Sequence, residues 1–240
     1  MTVAVVIAGG VGSRMGACVP KQFVEVNGRP VLFWTLEAFQ RHPMIDAIEL
    51  VLIDGWRDVV EDFKNRLGIS KLKWIVPGGA SAQESIRNGV FALEGVCSPD
   101  DIVVVHDGIR PLVESAVLDS VIEVARKFGD GVTSMPYNEQ IFVVDEKEPS
   151  TTTKYIPRET LRRVATPQAY RFDLIDAAYH EAFEKGIGVH GSAYANTMMV
   201  ELGRRLHFAA GSDRNLKLTT KGDLAVFKAL VETEGPGRNP

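Results

Sequence analysis

Several features that would narrow the function quickly are scarce in this sequence. Only two of its 240 residues are cysteine, Cys18 and Cys97. They make neither a metal-binding spacing nor a disulfide framework, and a reducing compartment is the simplest setting for them. Cys18 has no histidine near it in sequence, so nothing marks it as a nucleophile. No run of apolar residues approaches the roughly 18 that a bilayer requires, and no basic segment precedes the first apolar run. The expectation is a soluble, cytoplasmic protein with no membrane partner. Lysine and arginine number 27 against 31 acids, a net charge of -4, and neither forms a block. That removes the broad basic footprint of a nucleic-acid binder. Internal repeats and low-complexity tracts are also absent.

What is present begins with a glycine-rich loop. Ala8-Gly9-Gly10-Val11-Gly12-Ser13-Arg14-Met15 follows the apolar run Val3 to Ile7, and Pro20-Lys21-Gln22 comes soon after. The glycines let backbone N–H groups approach anionic oxygens that side chains would otherwise screen. Arg14 and Lys21, seven residues apart, supply the fixed positive charge that a phosphoryl-type transition state needs. A dinucleotide fingerprint fits poorly and ranks last, because Met15 stands at the third glycine position and Gly16 falls one residue late. A P-loop is excluded because Ser13-Arg14-Met15 replaces its Gly-Lys-Ser/Thr, with the lysine lying beyond a proline. The loop reads as a cradle for a nucleoside triphosphate.

Short β-branched runs alternate with segments of helical period. Strands are expected at Val3 to Ile7, Ile48 to Ile53, Trp74 to Val76 and Ile102 to Val105, and helices near Pro30 to Arg41, Arg57 to Leu67, Ser81 to Leu93 and Glu114 to Phe128. This alternation implies an α/β fold, a Rossmann-like, mostly parallel sheet with helices on both faces. Ligands bind such sheets beyond the carboxyl ends of the strands, where the glycine-rich loop lies. Ser81-Ala82-Gln83-Glu84 has the form of a capping box, opening a helix just after Pro77-Gly78-Gly79. From about 136 to 158 the alternation lapses: Tyr137 to Val144 reads as a strand, a polar turn follows, and Thr151 to Ile156 returns. A protruding β-arm of this kind needs something to pack against, and a second subunit would serve. Beyond it, Phe172 to Lys185 reads as a helix, Leu206 to Ala209 and Asn215 to Leu218 as strands, and Thr220 to Asp223 as the cap of a last helix ending near Val231. The expected organisation is one domain over residues 1–232 with a flexible tail at 233–240.

Val103-Val104-Val105-His106-Asp107-Gly108-Ile109-Arg110-Pro111 places a carboxylate directly after a buried strand at the ligand-binding edge. Asp107 is the candidate magnesium ligand, since Mg2+ takes one or two carboxylates plus substrate phosphates. His106 reads as a structural hydrogen-bonder and Arg110 as the group that orients the loop. Lys217, between Leu216 and Leu218, reads either as a half-buried lysine that needs an anion or as an edge-strand lysine that discourages aggregation.

Taken together, A-G-G-x-G-x-R-M with P-K-Q, G-G-x-x-x-x-x-S, V-H-D-x-x-R-P, P-R with T-P-Q, and N-L-K-x-T resemble the CTP-dependent polyol-phosphate cytidylyltransferases. That family joins 2-C-methyl-D-erythritol 4-phosphate and ribitol-5-phosphate cytidylyltransferases. The resemblance covers roughly residues 2 to 232 and implies the nucleotide-diphospho-sugar transferase type of fold. It implies that Ala8, Gly9, Gly10, Val11 and Gly12 wrap the triphosphate and that Arg14 and Lys21 stabilise charge on the reacting phosphates. Gly78, Gly79 and Ser85 match positions that recognise cytosine and ribose, Asp107 the magnesium-binding aspartate, and Lys217 the lysine near the α-phosphate. Arg158 matches an arginine that reaches from a dimerisation arm to the acceptor phosphate of the neighbouring subunit, and Gln140 stands where family members carry an arm threonine.

The chain also departs from the family pattern. Ala193-Tyr194 replaces a Thr-Asp pair, and Ala82 replaces an arginine. Ala8-Gly9-Gly10 and Asp107 to Pro111 lean toward the ribitol branch. The resemblance implies a homodimeric, Mg2+-dependent enzyme that transfers CMP from CTP to a polyol phosphate and releases pyrophosphate, on the way to an isoprenoid or a cell-surface polymer. The residues alone leave open a nucleotidyltransferase for another sugar phosphate or nucleotide, and a non-catalytic nucleotide-binding homologue.

Overall fold

A computed structural model of the chain describes residues 1–10, 19–191 and 194–234. Its centre is β1 (Thr2–Ala8), an apolar run paired in parallel with β4 (Ala47–Leu52) on one side and β6 (Ile102–Asp107) on the other. Strands that are covered on both faces read as continuous hydrophobic runs rather than alternations, which is why these three are plain in the sequence. β5 (Leu72–Pro77) extends the sheet parallel to β4, while β2 (Glu25–Val26) and β3 (Arg29–Pro30) form a separate antiparallel pair.

On the other side of β6 the direction reverses. β10 (Arg162–Arg171) runs antiparallel to both β6 and β7 (Asp130–Pro136), and β11 (Phe208–Ala210) closes that edge parallel to β7. The order across the sheet is β11-β7-β10-β6-β1-β4-β5, mostly parallel as expected.

Side-chain alternation along β1 assigns the helices to the two faces. Ala4, Val6 and Ala8 pack with α1 (Val31–Arg41), α2 (Arg57–Leu67) and α4 (Ser115–Phe128), through Leu32, Phe33, Val60, Val121 and Ile122. Val3 and Val5 pack instead with α3 (Ala82–Ala92), α5 (Phe172–Lys185) and α6 (Ala195–Glu201), through Ile86, Val90, Ile175 and Met198. A third cluster seats α7 (Lys221–Glu234) by Phe227 and Val231 against Val31, Ile109 and Leu112. Helix α7 thus runs three residues beyond the expected end at Val231, and two of its residues belong to the segment read as tail.

Three expectations are corrected. Asn215 to Leu218 is not a strand: Leu216 and Leu218 pack into the α7 cluster, and the Leu218 N–H donates to the Ile109 carbonyl at 2.9 Å, outside any ladder. The arm is shorter than read, with β8 (Ile141–Val143) and β9 (Lys154–Ile156) forming a separate antiparallel pair. The strand expected at Leu206 to Ala209 starts two residues later, because the His207 N–H donates to the Asp130 side chain at 2.7 Å. Strands β7 and β10 and helix α6 have no counterpart in the sequence reading.

The arm leaves two large rings uncovered, Phe142 at 58% exposure and Tyr155 at 64%. A lone two-stranded hairpin is marginal in water. Among the described residues, no helix is long and apolar enough to cross a membrane.

Candidate active site at the carboxyl edge of the sheet

The chain leaves β1 at Ala8 and leaves β5 at Pro77, and the two exits touch. A Cβ on Gly78 would lie 3.0 Å from the Gly9 Cα, and a Cβ on Gly9 would lie 3.0 Å from Ser85 Oγ. Only glycine at both places allows backbone against backbone. Ser85, buried on the first turn of α3, holds this crossing: its Oγ accepts the Gly79 N–H at 3.0 Å and donates to the Ser81 carbonyl at 2.9 Å. Ser81 caps α3 by accepting the Glu84 N–H at 3.1 Å, as the sequence predicts. The Glu84 carboxylate reaches back to the Ala80 N–H at 2.8 Å, one residue earlier than the usual reciprocal bond. Both contacts fix the positive end of α3 beside the loop.

Lys21 opens a short 3-10 turn, Lys21–Phe23, and is half-buried. Its neighbour Gln22 is fully buried, and its Nε2 donates to the carbonyls of Ala8 (2.8 Å) and Gly10 (3.0 Å). Gln22 therefore ties the described start of the loop to the segment that follows it. Val11, Gly12, Arg14, Cys18 and Ala193 lie outside the described residues.

Asp107 ends β6 at the same edge and is held from three sides. Lys217 Nζ is 3.1 Å from Oδ1, while Arg110 Nε at 2.9 Å and the Thr166 hydroxyl at 3.1 Å both donate to Oδ2. Burial on its own would raise the Asp107 carboxyl, but the charges of Lys217 and Arg110 outweigh it and hold the group well below the usual carboxylate range. Asp107 is ionised throughout the physiological range. Arg110 is the orienting group: its Nη1 also donates to the Asn215 carbonyl at 2.8 Å, and Asn215 Nδ2 donates to the Thr166 carbonyl at 2.7 Å. These bonds fix the loop that carries Lys217 to the end of β6.

His106 is fully buried beneath this group, with Nε2 donating to the Arg110 carbonyl at 3.2 Å. Burial pushes it down to about 4, so it stays neutral and structural rather than acting as a base.

A cavity of about 70 Å3 is bounded by Asp107, Thr166, Gln168, Lys217, Tyr194 and Ala82. A second hollow of about 340 Å3, walled by Met135, Arg163 and Ser212, shares Lys217 as a lining residue. Lys217 therefore faces both spaces.

The structure brings together Ala8, Gly9, Gly78, Gly79 and Ser85 on one side and Asp107 with Lys217 on the other. Arg158 and Gln140 stand apart. Both are exposed on the arm, where Arg158 Nη1 donates to the Asn138 carbonyl at 3.1 Å, and neither lines the cavity at Asp107 of its own chain. Gln22, Thr166 and Asn215 were not singled out in the sequence. Their signal was their place inside Pro20-Lys21-Gln22, Thr166-Pro167-Gln168 and Asn215-Leu216-Lys217.

Asp107 is the carboxylate at this cleft, and cations already sit against both of its oxygens. The acid-and-histidine group among the described residues, Glu94, Asp176 and His180, is elsewhere, at the C-terminal end of α3 and on α5. One ionised carboxylate fits a magnesium ion that brings most of its ligands on a triphosphate; it does not make a protein cage.

Comparison with known proteins agrees with this geometry. Residues 2–233 match the family model of 2-C-methyl-D-erythritol 4-phosphate cytidylyltransferase. A ribitol-5-phosphate cytidylyltransferase of Lacticaseibacillus paracasei is 54% identical over 231 residues, covering 96% of this chain and 98% of that one. A 2-C-methyl-D-erythritol 4-phosphate cytidylyltransferase of Geobacter metallireducens is 36% identical, over 97% and 98% of the two chains. Among solved structures, the 2-C-methyl-D-erythritol 4-phosphate cytidylyltransferase of Thermus thermophilus superposes with a TM-score of 0.73 at 28% identity, over 96% and 98% of the chains. With the glycine crossing, the Asp107 cluster and these matches along its length, the chain belongs to the 2-C-methyl-D-erythritol 4-phosphate cytidylyltransferase family of nucleotidyltransferases.

Proposed function

We propose that this chain is a cytoplasmic, homodimeric cytidylyltransferase that transfers CMP from CTP to ribitol 5-phosphate. The observation that carries the reading is that the Asp107–Lys217 pair and the Gly9–Gly78 crossing lie at the same carboxyl edge of the sheet, a cation and a backbone cradle at the ends of neighbouring parallel strands. The choice of acceptor rests on the 54% identity to a protein named ribitol-5-phosphate cytidylyltransferase.

In this reading Ala8 to Gly12, with Gly78 and Gly79, hold the nucleotide, and Arg14 and Lys21 face the triphosphate. An oxygen of the acceptor phosphate attacks the α-phosphorus. The bond from that phosphorus to the bridging oxygen breaks, and pyrophosphate leaves with the electron pair. Because the attacking phosphate is already ionised, no general base is required, in keeping with a neutral, buried His106. Lys217 neutralises charge that grows on the α-phosphate, and positioning supplies much of the remaining rate. Asp107 would hold Mg2+, which when bound neutralises charge on the triphosphate. The exposed Phe142 and Tyr155 fit an arm seated on a second copy of the chain, where Arg158 and Gln140 would reach that copy's acceptor phosphate.

Pyrophosphate release with CTP and a panel of ribitol 5-phosphate, methylerythritol 4-phosphate and glycerol 3-phosphate tests the reading. The highest kcat/KM is expected with ribitol 5-phosphate. A higher value with methylerythritol phosphate overturns the acceptor, and no release with any of them overturns the activity.

A further inference from the structure

Lys217 lies on a loop without regular structure, so side-chain contacts must fix the position of its ammonium group. Two are present. One is the Asp107 carboxylate at 3.1 Å. The other is Tyr194, whose hydroxyl oxygen is 3.5 Å from Nζ, with the ring centroid further off at 5.0 Å. The two seats differ in kind. A carboxylate holds a lysine by cancelling its charge, whereas a phenol oxygen accepts a hydrogen bond from the ammonium and leaves the charge intact.

We propose that Tyr194 is a positioning residue for Lys217, a neutral seat that keeps the ammonium aimed into the cleft when it turns from Asp107 to a phosphate oxygen. The backbone supports this placement. The Tyr194 carbonyl accepts from the buried Gln83 Nε2 at 3.1 Å, and the residue caps α6, so the ring projects from a fixed point. Tyr194 and Lys217 line the same cavity as Asp107 and Thr166. Without the hydroxyl, Lys217 keeps Asp107 as its seat and loses the neutral one, so its charge is available to the α-phosphate for a smaller share of the time.

The catalytic consequence rests on the proposed CMP transfer; the seat itself does not. Two measurements separate them. Lysines of the intact protein are dimethylated with 13C-formaldehyde, which preserves their charge, and the Lys217 signal is assigned by its loss in Lys217→Arg. The signal is expected at one position in wild type and at another in Tyr194→Phe, which removes the hydroxyl and keeps the ring, with the other lysines unmoved. In steady-state assays with ribitol 5-phosphate, Tyr194→Phe is expected to lower kcat about tenfold. Its KM for CTP should stay within about twofold. An identical Lys217 signal in wild type and Tyr194→Phe refutes the seat. Full kcat in Tyr194→Phe, or a KM for CTP that rises as much as kcat falls, refutes its role. If wild type transfers no CMP at all, the functional reading falls while the lysine signal still decides the seat.

Discussion

Glu49 sits in the middle of β4, fully buried, with both carboxylate oxygens lacking a hydrogen-bond partner. It packs under α3 at Gly89, where a Cβ would come within 2.9 Å of its Oε1. Burial raises the group from 4.5 to about 8, so the native protein carries it as a neutral acid at pH 7. Between those values the folded state holds a proton that the unfolded chain has released. Stability therefore falls as pH rises through the window and stops falling above about 8. Each unit is worth about 1.4 kcal/mol, so the 2.5 units between 4.5 and 7 cost about 3 kcal/mol at neutral pH. Glu49→Met, of similar length and without the acid, should recover much of that and gain further relative to wild type up to pH 8. Glu49→Gln keeps two unsatisfied polar atoms but cannot ionise, so it should remove the pH slope with little gain at pH 5. The assay is the urea midpoint of wild type and both variants at unit steps from pH 5 to 9. Parallel pH profiles for wild type and Glu49→Gln would falsify the argument, since the proton would then not belong to Glu49.

Gly78→Ala places a methyl against the Gly9 backbone; a loss of about 1–3 kcal/mol in stability is expected by denaturant midpoint, with weaker CTP binding by calorimetry. Arg158→Ala should raise the KM for the acceptor far more than that for CTP, and equal effects on both would remove the arginine from the acceptor site. Phe142→Asp puts a charge on the exposed face of the arm, and sedimentation velocity should show a dimer in wild type and a smaller species in the variant.

The periodic elements were the legible part of the fold. Helix α2 and helix α5 have in the structure the bounds that their patterns mark, Arg57–Leu67 and Phe172–Lys185, because each shows an apolar stripe and ends at a glycine of positive φ, Gly68 or Gly186. Strands β7 and β10 hide because their buried positions include polar residues. Asp130 is paired with His207, Thr133 donates to the Pro167 carbonyl at 2.6 Å, and Gln168 accepts the Tyr170 hydroxyl at 2.8 Å. No period marks a polar group as buried when its partner lies 34 residues away, as for Thr133, or 77, as for Asp130. The same holds in the cleft. Charged residues stand out in a sequence, but Gln22, Thr166 and Asn215 act by bonding particular carbonyls, a carboxylate or a backbone turn, and those choices exist only after folding. Lys217 shows the mixture: its residue type pointed to an anion, and its supposed strand was a loop.

The contact of Gly9 with Gly78 bears on engineering. The glycine-rich loop looks like a cassette, a continuous stretch that could be cut out after β1 and grafted onto another sheet. Its start at Gly9, however, rests on a turn almost seventy residues further along, and Ser85 on the next helix holds that turn. The transferable unit is therefore two strand exits and the first turn of α3 moved together, and a graft of the loop alone would leave behind the surface on which Gly9 rests.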